Sequence, residues 1–365
     1  MTDTQQLLDL AIQIQQIAAP TFAEGPRAEF VRDRFIGERL KDVSMDSLGN
    51  VYARLAGKQK NARALVVSAH LDTVFPPGIN LQIKKEAGRV YGPGIGDNSI
   101  GVAALFGILW ALRERKIEIG RDIWFAANVG EEGLGDLRGM RSVVERFGSD
   151  VVGYLVLEGL ALGHVYHRGI GVKRYRVTVK TRGGHSWSDY GQPSAVHELA
   201  ALVTQITSIL LPRQPRTTMN VGTIQGGTGV NVLAAEAKCE LDLRSEDPLT
   251  LAKLARQVEE TLIGWRREGV KLQAEVIGER PAGEVPLDHE FVGLAMKSVR
   301  ECGMEPVPTS GSTDANIPLS KKIPAVVLGV TTGGGAHTVN EFVDVEPIER
   351  GLESLVRFVQ GVGQI

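Results

Sequence analysis

In the first and last parts of the chain, apolar residues fall into short unbroken blocks; in the middle they alternate. Ala64–Ser68 (ALVVS), Asp122–Ala127 (DIWFAA) and Val151–Leu157 are apolar without strict period two, as strands covered on both faces are. Residues 100–115 and 139–147 have the length and spacing of helices between them. Such an alternation predicts a largely parallel sheet with helices on both sides. From Val172 to Lys180 (VKRYRVTVK) the period becomes two, the mark of a strand with one wet face. Helices expected over 194–211 and 248–265, with strands over 217–224, 235–244 and 271–277, complete a β-α-β-β-α-β series. That order is the ferredoxin-like split arrangement. After the linker Pro281–Pro286 the first pattern returns, with Ala325–Val330 a buried strand and Pro347–Val362 a closing helix. The expectation is one α/β domain built from residues 1–168 and 282–365, interrupted by an inserted α+β domain over 169–281.

A length of 365 residues suits two domains. With 41 basic and 43 acidic residues the net charge is −2, which gives no electrostatic footprint for nucleic acid. The longest apolar run, Ile100–Leu112, is closed by Arg113 and falls short of the roughly 20 residues a bilayer requires. The first 19 residues lack a basic start and place apolar residues in a helical rhythm broken by Asp and Gln, unlike a secretion signal. No membrane or nucleic-acid partner is expected, and the cytoplasm is the default location. Cys239 and Cys302 read as small buried residues rather than a disulfide framework. The 43 glycines cluster, which marks places where the backbone bends tightly or approaches a ligand.

Ligands of an open α/β sheet gather in the loops after the strands. In those loops stand His70 and Asp72; Asp97, after the turn Gly92–Gly96; Glu131 and Glu132; Glu158; and His337, after three consecutive glycines. Imidazole and carboxylate together suit zinc-class ions, and two adjacent ions need a bridging carboxylate with one or two further ligands each. Water activated by such ions is a nucleophile near neutral pH, and a neighbouring free carboxylate can carry its proton to a leaving amine. Glu131 and Glu132 can divide ligand and base between them, and His70-X-Asp72 fits an imidazole oriented by a carboxylate behind it. Each residue alone has a plainer reading: His70 as an ordinary strand-end polar group, Asp97 as a cap for the helix near Ser99, Glu131–Glu132 as a solvated pair, the loop before His337 as a turn. Convergence on one sheet edge favours the metal reading. His164, His167, His197 and His289 show no partner spacing and are expected to be structural. No Gly-X-Ser-X-Gly occurs, which disfavours a serine hydrolase, and Gly92–Gly96 has the wrong spacing for a dinucleotide loop.

At these residues the sequence resembles the dinuclear-zinc peptidase and aminoacylase family that includes succinyl-diaminopimelate desuccinylase, acetylornithine deacetylase, glutamate carboxypeptidase and peptidase T. The segments that carry the resemblance are Ser68-Ala-His-Leu-Asp-Thr-Val74, Gly94-Ile-Gly-Asp-Asn98, Gly130-Glu-Glu-Gly133, Leu157-Glu158-Gly159 and Ala336-His337-Thr338-Val-Asn-Glu341. By position, the resemblance implies a zinc-peptidase-like catalytic domain in which Asp97 bridges two ions. His70 and Glu158 would complete one site, and Glu132 and His337 the other. Glu131 would be the general base and Asp72 the orienter of His70. The implied cofactor is two divalent ions, zinc first, with cobalt or manganese as alternatives. The insert resembles the family's lid and dimerisation domain. There Gly183-Gly184-His185 implies an oxyanion-supporting His185 that acts in a partner subunit, and Gly226–Asn231 with Asp242-Leu-Arg244 implies that Asn231 and Arg244 hold the substrate. The pattern departs at Leu233-Ala234, where the family carries proline shortly after the asparagine.

The implied function is metal-dependent cleavage of an amide bond in a short peptide or N-acyl amino acid, in a homodimer joined through the lid. Glu at position 158 resembles the deacylases and carboxypeptidases, whereas Gly130–Gly135 resembles the tripeptidase branch. The ligand touches the metal and carries more weight. The expectation is therefore a carboxypeptidase or deacylase, with an aminopeptidase for di- and tripeptides as the alternative.

Overall fold

The computed structural model describes residues 3–59 and 61–363. The chain divides into two units, residues 1–169 with 284–365, and residues 170–283.

The centre of the first unit is a sheet whose strands run in the order Lys41–Met45, Val51–Leu55, Ile123–Asn128, Ala64–His70, Val151–Glu158, Ala325–Gly329 and His164–Gly169. The four strands from Ile123–Asn128 to Ala325–Gly329 are parallel and almost wholly buried, as their continuous apolar sequences require. The flanks depart from the parallel expectation. Lys41–Met45 and Val51–Leu55 form an antiparallel hairpin against Ile123–Asn128, and His164–Gly169 runs antiparallel to Ala325–Gly329. The outer hairpin strand is exposed or half-exposed along its length, so it carries no apolar block to read.

The helix Ile100–Glu114 lies in the core with nearly every residue buried. Counted from Ile95 the segment spans 20 residues and is apolar enough by length and composition to cross a bilayer, which corrects the shorter run read from sequence; 89% of its apolar window is buried inside the fold. A second, small sheet joins Lys84–Glu86, Arg89–Tyr91, Phe342–Asp344 and Gly333–Gly334, pairing Phe342 with Tyr91. It fastens the loop before Asp97 to the segment after His337.

In the second unit four antiparallel strands lie in the order Thr217–Gly226, Glu236–Ser245, Gly171–Lys180, Lys271–Arg280, the 2-3-1-4 order of a ferredoxin-like fold. The helices Ala195–Thr207 and Pro248–Gly264 share a core with Tyr175, Val177, Val179, Leu241 and Leu243 from the sheet. On the alternate positions Arg174 pairs with Asp242 and Arg176 with Glu240 across the strands. The first helix stops earlier than its apolar pattern suggested, at Thr207, and Leu210 is exposed, in keeping with the block that Pro212 places on further helix. The second starts at Pro248 with Asp247 as its cap, accepting from the Thr250 amide at 2.7 Å.

Candidate metal centre

The parallel register sets the site. Ser68 pairs with Val156, and His70 with Asn128, so His70 and Glu158 end neighbouring strands on one edge of the sheet. Glu131 and Glu132 follow the strand that ends at Asn128, and His337 follows the strand Ala325–Gly329. Between these side chains stands Asp97. One carboxylate oxygen, Oδ1, is 3.0 Å from His70 Nε2, and the other, Oδ2, is 3.1 Å from His337 Nε2. Glu158 Oε2 lies 3.8 Å from His70 Nε2, and Glu132 Oε1 lies 3.1 Å from His337 Nε2.

Two donor sets result, His70–Asp97–Glu158 and Asp97–Glu132–His337. Within each, one ligand atom per residue lies within 4.8 Å of the others. Nitrogen and carboxylate donors in sets of three, sharing one carboxylate, fit a pair of divalent ions. The electrostatics agree. Burial pushes the Glu158 carboxyl up to about 7. Burial alone would strip the proton from His70, but the surrounding Asp72, Asp97 and Glu158 outweigh it and raise its pKa well above the usual value. His337, hydrogen-bonded to Asp97 and Glu132, is raised to about 10. Burial opposes ionisation of Asp97, but the two imidazoles hold its carboxyl below the usual range. Carboxylates outnumber imidazoles here, so the pocket stabilises positive charge.

The supporting contacts are mostly to backbone. His70 Nδ1 is 3.1 Å from the Asp72 carbonyl oxygen and 3.5 Å from its carboxylate. A carbonyl only accepts, so Nδ1 carries the hydrogen and the neutral ring presents Nε2 to a ligand position. The orienting contact is thus chiefly the main chain of Asp72. Its buried carboxylate instead accepts the amides of Glu131 at 3.0 Å and Glu132 at 2.9 Å, and the Thr21 hydroxyl at 2.9 Å. It fixes the turn that carries both glutamates, each only 6% exposed, so they are not a solvated acidic pair.

Asp97 does not cap the following helix; its carboxylate faces the two imidazoles. The Asp97–Asn98 peptide is cis. Asn98 donates to the Leu157 carbonyl at 2.8 Å and accepts from the Gly159 amide at 3.0 Å, gripping the backbone on both sides of Glu158. Sequence reading left Asn98 without a role. The signal was its place beside Asp97 in Gly94-Ile-Gly-Asp-Asn98, but its partners are main-chain atoms.

In the second unit His185 pairs with Val232 in a short antiparallel bridge, and Ser186 donates to the Asn231 carbonyl at 3.0 Å, so His185 and Asn231 are neighbours and both are exposed. The amides of Trp187 and Ser188 point at His185 Nδ1, at 3.2 and 3.4 Å, which leaves the neutral ring its hydrogen on Nε2. Arg244 lies in the sheet away from that bridge, its Nε 2.7 Å from Asp242 Oδ1. Of the histidines without assigned chemistry, His289 caps the helix Glu290–Glu301 and His167 bonds the Val285 carbonyl at 2.8 Å. Cys239 is buried with its thiol pushed up to about 11 by burial, while Cys302 is only partly buried, a correction to the sequence reading.

A family model described as peptidase family M20/M25/M40 matches residues 66–361. The chain belongs to this peptidase family. Members of the M20 family to which it is similar include an M20-domain-containing protein of Schizosaccharomyces pombe, 30% identical over 85% of this chain and 72% of the relative. An acetylornithine deacetylase of Yersinia pseudotuberculosis is 27% identical over 53% of this chain and 51% of its own. The crystal structure of a tripeptidase from Staphylococcus aureus superposes with a TM-score of 0.83 at 22% identity, covering 99% of both chains, and shares the fold. The protein is thus an M20 metallopeptidase or amidohydrolase.

Proposed function

We propose that this M20 protein hydrolyses an amide bond in a short peptide or N-acyl amino acid. The observation that carries the reading is Asp97, which faces His70 with one oxygen and His337 with the other while Glu158 and Glu132 close the two donor sets. In this reading His70, Asp97 and Glu158 hold one divalent ion and Asp97, Glu132 and His337 the other. Zinc is the first choice and cobalt or manganese the alternatives. Bound there, the ions polarise a carbonyl oxygen and lower the pKa of water.

Glu131 takes the proton from the attacking water and delivers it to the departing nitrogen, so one carboxyl serves as base and then acid. Its turn is held by the Asp72 carboxylate, which keeps the base beside the ligand Glu132. His185 donates from Nε2 to the negative charge that develops on the carbonyl oxygen, in the site of a partner subunit. Asn231 and Arg244 bind polar or carboxylate groups of the substrate, Arg244 exchanging part of its pairing with Asp242 for a ligand. The dimer forms through residues 170–283, where the edge strand Thr217–Gly226 leaves Ile224 exposed. The cytoplasm is the proposed location.

Glu158 as a metal ligand favours a carboxypeptidase or deacylase. The whole-chain likeness to the staphylococcal tripeptidase favours the second reading, an aminopeptidase for di- and tripeptides. Metal-loaded protein assayed on dipeptides, tripeptides and N-acetyl and N-succinyl amino acids separates the two. Turnover of acylated or C-terminally free substrates with blocked amines supports the first reading. A strict need for a free amine supports the second. Full activity after exhaustive chelation, with no metal by elemental analysis, overturns both.

A further inference from the structure

Glu341 is fully buried, and the hydrogen bonds of its carboxylate run to backbone amides. Oε1 accepts from the amides of Gly96 and Asp97, both at 2.7 Å, and Oε2 from the amide of Gly94 at 2.9 Å. The Glu341 main-chain carbonyl accepts a fourth, from Gly92 at 2.9 Å. Gly94 is left-handed at φ 74°, so the amides after it curl into a concave row of donors, the arrangement that ordinarily receives an anion. Here the acceptor is the chain's own carboxyl group.

Glu341 also belongs to the segment that delivers His337. Thr338 donates to the Gly335 carbonyl at 3.0 Å and Glu341 to the Thr338 carbonyl at 3.2 Å, which folds residues 335–341 into consecutive tight turns. One side chain therefore fastens the backbone of Asp97 to the loop of His337, two parts of the donor cluster separated by 240 residues. We infer that Glu341 is a positioning residue for the metal pair: by gathering the amides of Gly94, Gly96 and Asp97 it fixes Asp97 and His337 relative to each other before any ion arrives.

The chemistry demands a carboxylate. It offers only acceptors, whereas the amide group of glutamine sets an N–H₂ against one of three N–H donors. Glutamine can satisfy Gly96 and Asp97 through its oxygen but opposes Gly94. The inference rests on the metal-centre reading and adds to it a residue that holds the frame rather than the ion.

The test compares wild type with Glu341→Gln and with Val343→Ala, a buried substitution in the adjoining strand that serves as a control for simple destabilisation. Zinc and cobalt binding are measured by equilibrium dialysis with elemental analysis. The expected result is about tenfold or greater loss of affinity for at least one of two ions in Glu341→Gln, with kcat reduced by a similar factor and KM little changed. Val343→Ala should keep both ions whatever its thermal midpoint. Amide exchange in the metal-free wild type gives a reading that needs no variant: Gly94, Gly96 and Asp97 should already be protected. Two ions bound by Glu341→Gln with wild-type affinity, or fast exchange of those amides until metal is added, overturns the inference and leaves the metal-centre reading standing. A wild-type protein that takes up no ion overturns both.

Discussion

The backbone amide of Glu131 is committed to Asp72, and the side chain sits in a buried turn next to Glu132, the proposed metal ligand. Replacing it with Gln keeps the shape and removes the proposed base. The expected outcome is a fall in kcat of about 10²–10⁴ with two ions still bound, checked by steady-state kinetics alongside metal analysis. An active Glu131→Gln would assign the proton transfer to another group. Asp72 gives a contrasting case. Its carboxylate pins the amides of two successive glutamates, so Asp72→Asn should disturb both the proposed base Glu131 and the proposed ligand Glu132. Loss of activity together with weakened binding of one ion is expected, where Glu131→Gln loses activity alone.

Between elements, close approach decides more than side-chain chemistry. A Cβ on Gly159 would lie 2.0 Å from the Gly96 carbonyl oxygen, so the segments carrying Glu158 and Asp97 touch backbone to backbone there. Gly159→Ala must push them apart. Its expected effect is loss of metal binding out of proportion to the single methyl added, read by elemental analysis of whatever protein stays folded.

A second element junction titrates. Asp46 accepts from the amides of Leu48, Gly49 and Asn50, from the Asn50 side chain at 2.7 Å, and from the hydroxyls of Tyr52 at 2.9 Å and Ser142 at 3.0 Å. Partial burial would raise its pKa, but these hydrogen bonds outweigh burial and lower it. A lowered carboxyl pKa stabilises the fold above the unfolded value of about 4 and loses that contribution as pH falls through the folded value. Asp46→Asn should therefore cost about 1–3 kcal/mol at pH 7, and the gap to wild type should narrow below about pH 4. Denaturant melts at both pH values measure it; a pH-independent gap would show that the charge at Asp46 contributes nothing.

For the molecule as a whole, continuous apolar strands revealed the centre of the sheet, and the switch to period two revealed the insert. The flanking hairpin at Lys41–Leu55 was not legible because its outer strand is exposed or half-exposed throughout. The cluster of donor side chains around Asp97 was legible because metal binding would need particular side chains at strand ends. The contacts of Asn98, Glu341 and the Asp72 carboxylate were not, since apart from the Thr21 hydroxyl at Asp72 their partners are backbone amides and carbonyls that look alike at every position in a sequence. Residues 170–283 hold a hydrophobic core of their own, so that segment expressed alone should fold and melt cooperatively, checked by circular dichroism. Non-cooperative melting would mean that its core depends on the rest of the chain.

The parallel strand Ala325–Gly329 and the loop ending at His337 come from beyond the insert, yet they stand beside strands made before it. During synthesis, every ribosome-bound chain that stops short of position 337 lacks one of the two imidazoles that face Asp97. The donor set around Asp97 is therefore completed only once His337 has been made, by which time the inserted unit has already been synthesised.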